Sequence, residues 1–304
     1  MLEALVSDAA QATVRALLFA GIMTVVGALC FAQRVAPAFD GDPAGAQRVR
    51  GRAQQVLRLA TALLGVVLAW RLVQQAAAFA DTPGEWPSQV SLVVTQTTWG
   101  TGWLVQGAAI LLVALSASPA FRPLERQLVP LGIGALALAV TPALSGHAVG
   151  APRLAPLAVT LDALHVTAAG AWLGTLFVIV VAALPVARDA APGIGADLLA
   201  RFSSLALASG GIVAITGLFA SWLHLETLPA LWTTAYGLAL VRKLVALGGT
   251  AALGAYNWRV VTPRVRATGD ISALRRSALI ELAIATALVV LTAVLVATPL
   301  PAEG

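Results

Sequence analysis

Residues 158–184 read AVTLDALHVTAAGAWLGTLFVIVVAAL. About 20 mostly apolar residues are enough to carry a helix across the hydrocarbon of a bilayer. This run exceeds that length and holds one formal charge, at Asp162. Working outward, seven more apolar stretches can be marked, roughly 9–33, 53–79, 98–117, 128–146, 200–223, 236–257 and 275–297. The segments between them are short and rich in Pro, Gly, Asp and Arg, as surface connections are. Of the 304 residues, 59% are apolar and 11% charged, too little polar surface for a water-soluble domain of this size. The expected fold is therefore all-α, a polytopic integral membrane bundle of about eight transmembrane helices surrounded by lipid.

The isoelectric point near 10.6 invites a nucleic-acid partner, but the cations are sorted by side. Arg34, Arg48, Arg50, Arg52 and Arg58 flank the first connection; Arg122 and Arg126 lie in the third, Arg188 and Arg201 in the fifth. Arg259, Arg264, Arg266, Arg275 and Arg276 belong to the seventh, whereas the even-numbered connections carry only Arg153. Arginine concentrates on the cytoplasmic side of membrane proteins. The odd connections are thus expected in the cytoplasm, with both termini on the outer side of a plasma membrane and no role in nucleic-acid binding. Glu3 and Asp8, with no cation among the first ten residues, do not suit a cleaved signal peptide. Helix 1 is expected to remain as a span. The single cysteine, Cys30, excludes an intramolecular disulfide.

Thr97-Thr98-Trp99-Gly100 opens helix 3, and Thr233-Thr234-Ala235-Tyr236-Gly237 opens helix 7. The echo suggests two four-helix halves, residues 1–150 and 151–304, in a parallel 4+4 repeat. Aromatic residues also favour membrane interfaces for their own reasons.

Ionisable groups inside hydrocarbon are costly and tend to face a bundle interior, where they mark a functional path or a structural pair. Here they gather in the outer half. Asp162 and His165 share one face of helix 5, with His165 roughly 10 Å below the helix start at 1.5 Å per residue. Trp172 lies two turns deeper on that stripe, and Gly170 and Gly174 allow close approach of a neighbour. His147 follows helix 4 and His224 ends helix 6; isolated interfacial histidines of this kind are commonly solvated loop residues. Arg15 and Arg71 sit at similar depth, where they can neutralise Asp162 or reach the outer headgroups. They work against an open cation pore. Glu281 and Arg242-Lys243 are expected to form a structural ion pair between helices 7 and 8.

Several of these residues fall in an ordered set. Gly146-His147-Ala148 comes first, then Leu161-Asp162-Ala163-Leu164-His165 with Ala169, Trp172-Leu173-Gly174 and Leu176. Arg201-Phe202-Ser203, Thr216-Gly217, Tyr236-Gly237, Lys243-Leu244 and Asn257 follow. Over about residues 145–260 this resembles the CopD family of bacterial copper-resistance membrane proteins; helices 1 to 4 are supported by the span count. The resemblance implies a plasma-membrane protein that moves copper inward, often with a periplasmic copper-binding protein of the CopC type. On that reading His147, His165 and His224 are the copper ligands, since copper binds strongly at nitrogen sites. Asp162 orients an imidazole or adds a ligand, and Trp172 closes the path below.

The chain lacks a Met-rich or Cys-rich track through its lower half, so an outer site is better supported than a full path for Cu(I). The alternative is a membrane redox protein holding haem b between facing helices, with His165 and either His147 or His224 axial and Arg15 and Arg71 on the propionates. Neither a phosphate-binding glycine loop nor an HExxH motif is present, so soluble-enzyme chemistry is not expected.

Overall fold

The structure, a computed structural model, describes residues 7–80, 85–118, 127–144, 155–190, 193–225, 227–268 and 271–298. His147, Arg122, Arg126 and Arg153 lie outside the described residues. Every element that is described is helical, as hydrocarbon demands: with no water to satisfy backbone groups, a helix closes its own hydrogen bonds. The helices are α1 (Asp8–Cys30), α2 (Pro43–Ala78), α3 (Trp86–Gln96), α4 (Thr98–Ala117) and α5 (Leu128–Leu144). There follow α6 (Ala155–Ala187), α7 (Ile194–His224), α8 (Ala230–Thr233), α9 (Ala235–Tyr256) and α10 (Ile271–Ala297).

Seven of these elements are long and apolar enough to span a membrane, by length and composition. The eighth expected span is α5, whose 17 described residues are apolar but rise only about 26 Å, slightly short of the ~30 Å core. Two differences from the sequence reading concern the helix ends. Helix α2 begins at Pro43 rather than near residue 53, and α9 runs on through further turns to Thr268. In both places the arginine-bearing segment continues the helix instead of ending it, because arginine is a good helix former. Helix α3 lies in a stretch the sequence reading left as a connection: it is too polar to span, and it buries Val93.

Helices α1 and α6 form the buried centre, with Ile22 and Val25 of α1, Phe31 just beyond it and Val178 of α6 fully enclosed. Their closest approach falls where Gly27 meets Gly174. A Cβ on Gly27 would penetrate the Gly174 backbone, and one on Gly174 would strike the Met23 carbonyl. The remaining helices surround this pair and turn large apolar side chains outward, including Val129 (74% exposed) and Leu207 (81% exposed). Such a surface suits lipid and not water.

The echo noted between helices 3 and 7 recurs as geometry. Thr97 and Thr234 are both extended residues whose Oγ1 accepts from the backbone N–H of Gly100 (2.9 Å) and Gly237 (3.0 Å). Each glycine rests against the backbone of the preceding short helix, α3 or α8, where a Cβ would collide. We expect Thr97→Ala to cost about 1 kcal/mol, the usual value of a lost N-cap. Thermal unfolding in detergent reads it, and an unchanged midpoint would show that the cap contributes nothing there.

Candidate functional site

The N-terminal half of α6 presents Asp162 and His165 three residues apart, on one face. The imidazole reaches α7. Its Nδ1 lies 2.8 Å from Thr216 Oγ1, and it also hydrogen-bonds the backbone of Val213. Gly217 leaves room for the ring, since a Cβ there would come within 3.5 Å of His165 Cε1. The Thr216 hydroxyl has one hydrogen, which points back to the Ile212 carbonyl at 2.7 Å. It can therefore accept from Nδ1–H, and in that tautomer the neutral ring keeps its lone pair on Nε2.

Asp162 does not turn to an arginine. The cation that acts on it is Lys243 of α9, at longer range than a direct ion pair, and Lys243 acts on His165 as well. Arg15 and Arg71 belong to a different group. They act on one another, while Arg71 donates to Gln106 Oε1 and lies 5.7 Å from the centre of the Trp99 ring. Gln106 in turn donates to Thr141 of α5 at 3.3 Å. The expected neutralisation of Asp162 by these arginines is thus replaced by Lys243, whose long stem reaches across from α9.

The expected pairing of Glu281 with Arg242-Lys243 is also corrected. Glu281 is buried, and its Oε2 accepts from Asn257 Nδ2 at 3.1 Å. Its carboxylate accepts a second hydrogen bond from the Trp172 side chain. Lys243 lies on the same helix as Arg242, and the carboxylate whose field it feels is Asp162. Trp172 thus does more than close a path: its ring packs near Gly210 of α7 and its N–H serves Glu281.

Of the four expected metal ligands, the structure brings Asp162 and His165 into one neighbourhood. His147 is outside the described residues, and of His224 only its place at the end of α7 is described. Among the described residues no three His, Cys, Asp or Glu side chains gather as a metal cage.

Sequence reasoning missed Lys243 as the partner of Asp162, though a signal was present. Lys243 follows Thr234 by nine positions, as Gln106 follows Thr97. Extending the echo along both helices puts the two polar side chains at one register, and Gln106 is fully buried.

With this geometry in hand, comparison with known proteins is informative. The copper transport protein CutJ of Bacillus subtilis (strain 168) is 28% identical over 263 residues, which is 83% of this chain and 47% of that protein. The chain therefore spans about half the length of that relative. No solved structure matches. The family model described as copper resistance protein D matches residues 196–295, and the one described as the copper resistance protein D-like N-terminal domain matches residues 6–152. The second match supplies specific support for the first half, where the sequence reading had only the number of spans. Two models of one family following each other along most of the chain, on a helical membrane bundle, make this protein a member of the copper resistance protein D family.

Proposed function

We propose that the chain carries copper inward across a bacterial plasma membrane, and that His165 is the copper ligand of its outer half. The observation that carries this reading is the committed Thr216 hydroxyl. With Nδ1–H donated to it, Nε2 is the nitrogen left to bind a metal, as when a metal-bound histidine is oriented by a hydrogen bond at its other nitrogen. Copper is favoured over other divalent first-row metals at such a nitrogen. Asp162 is the neighbouring acceptor, held in the field of Lys243 until a cation arrives. His147 and His224 are the further ligands in this reading, His224 from the end of α7. Delivery from a periplasmic CopC-like protein fits an outer site, in the orientation that the arginine distribution implies.

The test is a metal analysis and optical spectrum of the purified protein, wild type beside His165→Ala. We expect near-stoichiometric copper without a Soret band, and at least a ~10-fold weaker affinity in the variant. Unchanged copper content in the variant would remove His165 from the site. A Soret band that disappears in the variant would replace copper with haem and make Arg15 and Arg71 candidates for the propionates.

A further inference from the structure

Below His165, the next ionisable side chain met along the inner face of α6 is not on α6 itself. It is Glu281 of α10, linked to α6 through Trp172, two turns below His165. Glu281 lies five residues beyond Arg276, the last exposed arginine at the start of α10, so it is about 8 Å past that charged end. It is 5% exposed.

The donors around it are neutral. Trp172 gives one N–H and Asn257 Nδ2 another, while Ser277 donates to Asn257 Oδ1 and so fixes which end of the amide faces the carboxylate. Among the described residues no lysine or arginine stands within ion-pair distance of Glu281. On α9, Lys243 feels the charge of Asp162, Tyr236 is buried near the helix start, and Arg242 is exposed; beyond it Tyr256 and Arg259 are exposed too. On α1, among the side chains described, the titratable groups are Arg15, which acts on Arg71, and Cys30, beside Arg34. On α6 they are Asp162 and His165, and on α10 itself Arg275 and Arg276 are exposed.

Both donors are placed by irregular backbone. Trp172 lies in a π-helical turn, Gly170–Gly174, and Asn257 opens another, Asn257–Val261. In the second, the Asn257 carbonyl accepts from Thr262 Oγ1 at 2.9 Å. Such turns weaken a helix locally and recur at functional sites. Two of them converging on one buried carboxylate is an arrangement that packing alone does not require.

A carboxylate held only by neutral dipoles in hydrocarbon remains a charge to be compensated. A proton compensates it fully. Copper is a poorer occupant, because amide, hydroxyl and carboxylate oxygens lack the nitrogen or sulfur it prefers. We propose that Glu281 is the proton-carrying group of the transport cycle, so that copper movement through the bundle is accompanied by proton transfer at this carboxylate. The inference rests on the copper-transport reading above. The proton arrives on a carboxylate oxygen from one aqueous side and leaves from it to the other. No electron moves and no other bond forms or breaks.

The test uses the full chain in liposomes with a pH-sensitive dye enclosed and copper ions added outside. Copper uptake by the wild type is expected to come with a change in internal pH. Glu281→Gln keeps the shape of the side chain and is expected to bind copper at the wild-type ratio while losing the pH change. A pH change that persists in Glu281→Gln overturns the proposal. So does wild-type copper uptake without proton movement, a result that does not depend on whether the variant folds. A wild type that takes up no copper overturns the transport reading instead, and the coupling with it.

Discussion

Gly174→Val is expected to leave little folded protein, with a cost of about 3 kcal/mol or more. The reason is a contact between backbones. At Gly174 the chain of α6 lies directly on Met23 and Gly27 of α1, and the first carbon of any side chain would overlap the Met23 carbonyl. Helices in lipid gain nothing from excluding water from one another, so close packing of small residues supplies much of their attraction. Forcing α1 and α6 apart removes that packing along both central helices. Gly211→Ala is the control: it lies in α7 with open space around it and should be neutral or slightly stabilising, because alanine favours a helix. Thermal unfolding and size-exclusion profiles in detergent read both variants. A Gly174→Val protein that melts with the wild type would show that the two helices separate without penalty.

Trp172→Ala should destabilise by about 3–5 kcal/mol, the usual range for removing a large buried aromatic side chain. Trp172 is 9% exposed, and truncating it opens a cavity beside Gly210. It also withdraws one of the donors to Glu281. Trp172→Phe separates the two effects, since it fills most of the space and loses only the N–H, at about 1–3 kcal/mol for a buried acceptor left short of a partner. If the two variants melt together, packing is not what the ring contributes.

The bundle was legible because lipid imposes one rule on every span: seven of the eight marked runs form described helices long and apolar enough to cross, and the eighth forms the shorter apolar α5. Asp162, His165 and Trp172 were legible for the same reason, as polar or bulky groups on a single stripe within such a run. Partners were harder to read. Asp162 has three cations at plausible depth, Arg15, Arg71 and Lys243, and sequence order does not say which helix stands opposite. The choice of Lys243 depends on how α9 packs beside α6 and α7, a property of the assembled bundle. Glu281 was misassigned on the same ground: charge complementarity pointed to Arg242-Lys243, but its partners are the neutral Trp172 and Asn257. The π-turns that place those partners leave no mark in composition or periodicity.

The meeting of α1 and α6 through Gly27 and Gly174 has a further consequence for permeation. Two backbones in contact leave no lumen, not even one wide enough for a dehydrated ion, so that flank of α6 is a sealed bulkhead. Room beside α6 is left to its other side, where Thr216 of α7 meets His165 and Glu281 of α10 meets Trp172.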